Sequence, residues 1–306
     1  DAHHGPTPCC ATVWPWRKAS IYPENRLYSA NPHRHITEFR FQAMASNPDP
    51  RPGQSGGHLP DSARTEGPFR AFACDPGWSE AWWWLALPVL SATGLIGIYT
   101  VNPDFYNNRI LPEGYGVLEL SQFFIALAGM VLALRLVFHP VVRTRRLLYI
   151  FCILSAFACL YIAGEEHSWG QHFFQWQTPE YWAQINRQQE TNLHNTLHLF
   201  DKKPRLLLEL GVLIGGLLIP LAARFRPDIR RMRWSLFFPA DALVPTALCA
   251  VLFKITDSLQ DAFGIYPLAA RPSESIEFYL YLFILFYLVV LTRRIRELES
   301  EQNTAR

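Results

Sequence analysis

Six apolar runs punctuate this chain between residues 82 and 291, at 82–100, 116–138, 147–163, 206–223, 236–255 and 276–291. At about 1.5 Å of rise per residue, runs of this length cross the ~30 Å hydrocarbon layer of a bilayer as helices. Backbone N–H and C=O groups find no water in that layer, so each run must satisfy its own hydrogen bonds. The expected fold class is therefore all-α: a polytopic transmembrane helical bundle of about six spans occupying 81–296. The fifth run is the least regular, because Pro239, Pro245, Asp241 and Lys254 interrupt it. Its prolines predict a kink whose freed carbonyls are bonded by neighbouring side chains.

The loops alternate in charge. Arg143, Arg145 and Arg146 follow the second run, Arg224, Arg226, Arg230, Arg231 and Arg233 the fourth, and Arg293, Arg294 and Arg296 the sixth. The other three loops are poorer in basic residues, with Lys202, Lys203 and Arg205 as the main group. Positive loops stay in the cytoplasm, so this pattern predicts cytoplasmic N- and C-termini and an extracytoplasmic segment 164–205 between spans three and four. Trp78, Trp82, Trp83 and Trp84 read as an interfacial aromatic belt at the first span. A net charge of +2 is too small to suggest nucleic-acid binding.

Composition matters mainly through its split. Residues 1–78 are polar and rich in Pro, Gly and His, whereas residues 82–292 are mostly apolar. Residues 1–43 have no periodicity and the first methionine is Met44, so 1–43 reads as upstream sequence from a mis-set start or as a disordered leader. Residues 44–80 read as a disordered cytoplasmic tail and 297–306 as a C-terminal cytoplasmic tail. The six cysteines form no CxxC pair, which argues against a disulfide framework or a zinc ribbon. Cys152 and Cys159, seven apart, read as small packing residues on one helical face.

The polar insert 164–203 breaks the apolar pattern. It contains Gly164-Glu165-Glu166-His167-Ser168-Trp169-Gly170-Gln171-His172 and, twenty residues on, Asn192-Leu193-His194-Asn195-Thr196-Leu197-His198. Ionisable groups at a membrane boundary are costly and mark function. If the third span continues as a helix, Glu165, Ser168 and His172 share one of its faces. Glu190, His194 and His198, four apart, would stack on one face of a second helix, and a His pair at i, i+4 suits one cation. His172, Glu190, His194 and His198 are thus the candidate metal ligands, for zinc, iron or manganese. Glu165 and Glu166 repel one another in a low dielectric, which makes them the candidate catalytic acid and base. Thr178-Pro179 reads as the start of a helix reaching about Gln189 along the membrane surface, a roof over the site.

The same topology brings further acids to that side: Glu119 at the start of span two, Glu209 in span four, Asp257 and Asp261 after span five, and Glu274 and Glu277 at the start of span six. Glu119, Glu209, Asp257 and Glu277 are expected to support the site as a polar chamber.

The Gly-Glu-Glu-His-Ser-Trp-Gly-Gln segment from Gly164, with Thr178-Pro179-Glu180 and Asn192-Leu193-His194-Asn195, resembles a motif set of bacterial multi-pass inner-membrane proteins of uncharacterised activity. The resemblance covers about 35 residues and implies a location in the bacterial inner membrane. His194 and His198 are also reminiscent of the paired histidines of the ceramidase-like membrane hydrolases. This chain departs from that pattern, having six spans and its pair ahead of the fourth.

Three functions stay open at this level. The first is a metal-assisted hydrolase or transferase acting on a lipid or lipid-linked substrate at the extracytoplasmic face. The second is a proton- or cation-coupled transporter, and the third a non-catalytic subunit that binds a protein partner through the insert.

Overall fold

The computed structural model describes residues 80–304, except 187, 194, 195, 197, 233 and 265 and the side chains of 81 and 198–202. The expectations for 1–43 and for 44–79 lie outside the described residues. Six long helices carry the fold, each long and apolar enough to cross a membrane. They are α1 (Ala81–Val101), α2 (Val117–Val137), α3 (Arg146–Glu166), α4 (His198–Leu213, continued below), α5 (Val244–Phe263) and α6 (Pro272–Thr304). No strand occurs among the described residues. The chain is thus an all-α polytopic bundle.

Proline sets the irregularities. In α4 a π-helical turn, Ile214–Leu218, joins the first stretch to Ile219–Phe225. Pro220 has no N–H to offer the carbonyl four residues back, and a wider turn is one way to absorb that loss. The expected kink in the fifth run is a full break. Residues 235–243 form two 3₁₀ turns around Pro239, and α5 begins at Val244 with Pro245 in its first turn. Buried Arg294 caps the break by donating to the carbonyls of Ser235, Leu236 and Phe238 at 3.4, 3.0 and 2.6 Å. Two ends lie further out than expected. Helix α5 runs past residue 255 to Phe263, stopped by Gly264 at φ 67°, a usual way for a helix to end. Helix α6 carries the supposed tail, which includes the helix-forming Glu297, Glu299 and Glu301, as far as Thr304.

Helix α6 is the centre of the bundle: 56% of its apolar 18-residue stretch is buried, against 22% for that of α1. It packs against α2, α4 and α5, while α2 pairs with α3 and α1 with α5. The α2–α3 approach is close because Gly129 faces Cys159, whose Sγ lies 3.1 Å from where a Cβ would stand. Cys152 and Cys159 are free, buried packing residues, as their spacing suggested. Helix α1 is held by a small polar clasp. The Pro88 carbonyl accepts from the Tyr279 hydroxyl at 3.3 Å and the Cys249 thiol at 3.7 Å, and Ser91 and Tyr279 hydroxyls are 2.9 Å apart. The start of α2 meets the start of α6 through Gln122 and Glu274, and the end of α3 meets α6 through Glu166 and Tyr281. One end of the bundle therefore gathers the carboxylates and the other the arginine loops.

Candidate functional site

Helix α3 stops where its sequence turns polar. His167 caps it, and Ser168 and Trp169 follow at φ 45° and 55°, a left-handed conformation costly for non-glycine residues. The surroundings hold it in place. The Trp169 indole N–H donates to Glu165 Oε1 at 2.7 Å, and its ring lies against Gly164, where a Cβ would stand 2.8 Å from the ring. The other Glu165 oxygen accepts the Leu193 backbone N–H at 2.7 Å. The expected continuation of α3 through His172 is thus replaced by a 3₁₀ turn and a short helix, Gln171–Phe174. Ser168 and His172 still meet at 3.2 Å. The roof helix is also shorter than expected, Glu180–Ile185 with Pro179 as its N-cap, because the Thr178 hydroxyl turns away to the Gln189 carbonyl.

Polar side chains knit the rest of the insert. Gln171 receives the Thr191 N–H at 2.8 Å and donates to Thr178 at 2.7 Å. Buried Asn186 donates to Asn192 Oδ1 at 2.7 Å and accepts the Gln188 N–H at 2.9 Å. Asn192 in turn donates to Ser168 Oγ at 3.0 Å and to Glu190 at 2.8 Å. Glu190 therefore sits in a turn, and the single helical face expected for Glu190, His194 and His198 does not form: α4 begins only at His198. His194 and the His198 side chain lie outside the described residues.

Ser168, His172 and Glu190 form a tight cluster. The buried Ser168 hydroxyl donates to Glu190 at 2.6 Å, and His172 Nε2 lies 3.3 Å from the same carboxylate. The hydrogen bond to Glu190 raises the His172 pKa above its ordinary value. A nucleophilic relay needs the histidine to bridge serine and acid through its two nitrogens. Here both partners meet Nε2, so the cluster clasps the insert rather than activating the serine. His172 is seated against Gly114 (φ 80°), where a Cβ would lie 2.4 Å from Nδ1. Beneath it His167 is 1% exposed, stacked on Phe173 at 4.1 Å and edge-on to Phe123 at 4.6 Å. Neither of its ring nitrogens has a partner among the described residues, and burial pushes its pKa down to about 4.

The clasp forms one wall of a polar cavity of about 60 Å³, room for several waters where one needs at least ~10 Å³. Helix α2 contributes Glu119, the end of α3 Glu165 and Glu166, and the insert Glu190 with Gln188 and Asn192. The start of α6 adds Glu274 and Glu277, and the adjoining loops add Glu113 and Arg271. Among the described residues, seven glutamates thus face one arginine. Arg271 bonds Glu113 at 3.0 Å and the Leu111 carbonyl at 2.8 Å, and Arg205 bonds Glu277 at 3.0 Å. Glu119 accepts the Gly114 N–H at 2.8 Å and Glu166 the Tyr281 hydroxyl at 2.9 Å, both neutral donors. Behind the cavity, fully buried Gln122 donates to the Glu274 carbonyl at 2.8 Å, and its own oxygen has no partner among the described residues.

Of the residues read from the sequence, Glu119, Glu165, Glu166, Glu190 and Glu277 converge here, with His172 bonded to the wall. Glu209 and Asp257 do not line the cavity. Arg205 and Lys254 bond Glu209 at 3.1 and 3.5 Å, and Lys254 lies 3.7 Å from Asp257 in the lengthened α5. Among the described residues no group of three or more His, Cys, Asp or Glu is arranged to hold a metal ion. Glu113, Gln188, Asn192 and Arg271 were missed. The one signal for the charged pair was that each adjoins a proline, Pro112 or Pro272, at the mouth of a span. No protein-family model, curated protein or solved structure matches this chain.

Proposed function

We propose that this multi-pass membrane protein binds a positively charged organic group in the glutamate chamber, with Glu119 and Glu166 exchanging protons with it. One observation carries the reading: among the described residues, Glu119 and Glu166 line the cavity and bond only neutral donors, in company with five further glutamates and one arginine. Enclosed carboxylates are costly unless a cation or a proton accompanies them. A metal ion draws its donors to within about 2.0–2.6 Å of one point. Among the described residues the chamber's carboxylates are not gathered about such a point, a distribution that suits a larger ammonium group met by several acids in turn. By the arginine pattern, the chamber opens to the extracytoplasmic side, and the motif resemblance implies that the membrane is a bacterial inner membrane.

A second reading keeps the metal-assisted hydrolase or transferase. It is favoured by His172 and Glu190 meeting at 3.3 Å in the chamber wall, with His194 four residues further along the chain. Zinc, iron or manganese held there would supply an activated water.

Calorimetric titration of the detergent-purified full chain separates the two. Ethylammonium is expected to bind and neutral ethanol not to, with affinity falling at least tenfold in the Glu119→Gln/Glu166→Gln double variant. Equal affinity in wild type and variant would refute the chamber reading. Stoichiometric metal, lost in His194→Ala and His198→Ala, would establish the second reading.

A further inference from the structure

Next to the chamber, between α4, α5 and α6, lies an apolar groove of about 170 Å³. Leu206, Leu210, Val251 and Ile255 form much of its wall, and Glu209 and Lys254 are its charged lining. Leu206, Leu210 and Ile255 are themselves about half exposed, on helices that face lipid. The groove is distinguished by what closes its polar end. Arg205 Nε lies 3.1 Å from Glu209 Oε1, in the groove wall, and its Nη1 lies 3.0 Å from Glu277 Oε1, in the chamber wall. Groove and chamber therefore abut across a single guanidinium.

We propose that the ligand is a single-chain amphiphile bearing an amine, its alkyl chain in the groove and its ammonium head in the chamber. The inference rests on the chamber reading and adds the chain. Charge fixes the head group. A head entering from the groove passes Glu209 and Glu277, both paired with Arg205, and reaches Glu119 and Glu166 beyond them, where an ammonium is attracted and a phosphate or carboxylate repelled. Arg205 is the partition residue. Its side chain is long and unbranched, and turning it aside joins the two spaces. The apolar wall fixes the tail, because each buried methylene contributes to affinity.

The test compares dodecylammonium with ethylammonium on the full chain in nanodiscs. Burial of even four methylenes predicts binding at least a hundredfold tighter for the long chain. Leu210→Trp and Val251→Trp fill the groove and are expected to reduce dodecylammonium to the ethylammonium affinity while leaving ethylammonium unchanged, which also reports that the variants are folded. Equal affinity for the two amines in wild type, or a chain-length gain that survives both variants, overturns the proposal with the chamber reading intact. Failure of ethylammonium to bind at all overturns the chamber reading instead. Dodecanol then judges the groove alone: its binding is expected to be lost in Leu210→Trp, and retention there overturns the groove as well.

Discussion

At one end of the bundle Arg294 is buried and directs its guanidinium at three backbone carbonyls; at the other Glu119 and Glu166 are enclosed and receive an N–H and a phenol. Both ends bring charge out of water, yet the outcomes differ. The broken fifth span leaves carbonyls exposed, and one arginine meets that need within the fold. Glu119 and Glu166 at the opposite end accept from neutral donors alone among the described residues. The arginine end therefore reads as framework, and the glutamate end as the place where the proposed ligand would be met.

Substitutions that separate framework from site sharpen this contrast. Arg294→Met should have the largest effect, about 3 kcal/mol of lost stability, because buried carbonyls lose their donor. Thermal unfolding in detergent measures it, and ethylammonium affinity well below the midpoint should be unchanged. Gly114→Ala comes next, at about 2 kcal/mol: it combines a left-handed φ with a Cβ 2.4 Å from His172. An unchanged midpoint would mean that His172 is not seated there.

His167 adds a dependence on pH. Its pKa is about 4 in the folded protein against 6.5 ordinarily. Between those values the unfolded chain binds more protons, so stability falls as pH drops from 6.5 towards 4. His167→Phe should flatten that slope and leave stability near pH 8 within about 1.5 kcal/mol of wild type; a slope unaltered in the variant would assign acid lability elsewhere. The smallest effect is expected at the arginine end's surface. Arg230 and Asp241 pair while 42% and 52% exposed, so Arg230→Ala should cost less than about 0.5 kcal/mol. A larger loss would show that this end is more than framework.

The spans were legible because a bilayer leaves the backbone few options. Runs long enough to cross it had to be helices, and the prolines marked where α4 and the fifth span depart from regularity. The gathering of Glu119, Glu165, Glu166 and Glu277 followed from the alternation of the loops. The insert was harder, because a spacing of four implies a shared face only if the helix persists. Ser168 and Trp169 instead adopt left-handed backbone conformations, stabilised by contacts to Glu165, Glu190 and Asn192 across the insert. Glu209 and Asp257 shared the chamber's depth along the membrane normal but not its direction around the bundle, which periodicity without partners could not supply. Their lysine and arginine partners turn them towards the groove side.

The clasp on α1 has a consequence for the order in which this molecule is made. Pro88 and Ser91 lie in a span made well before its partners, because Cys249 and Tyr279, which bond them, come about 160 residues or more later. Helix α1 can wait in lipid, since its apolar surface runs all round and little of it is buried. Helix α1 is thus docked late relative to its synthesis, and its clasp closes only once α5 and α6 have been inserted.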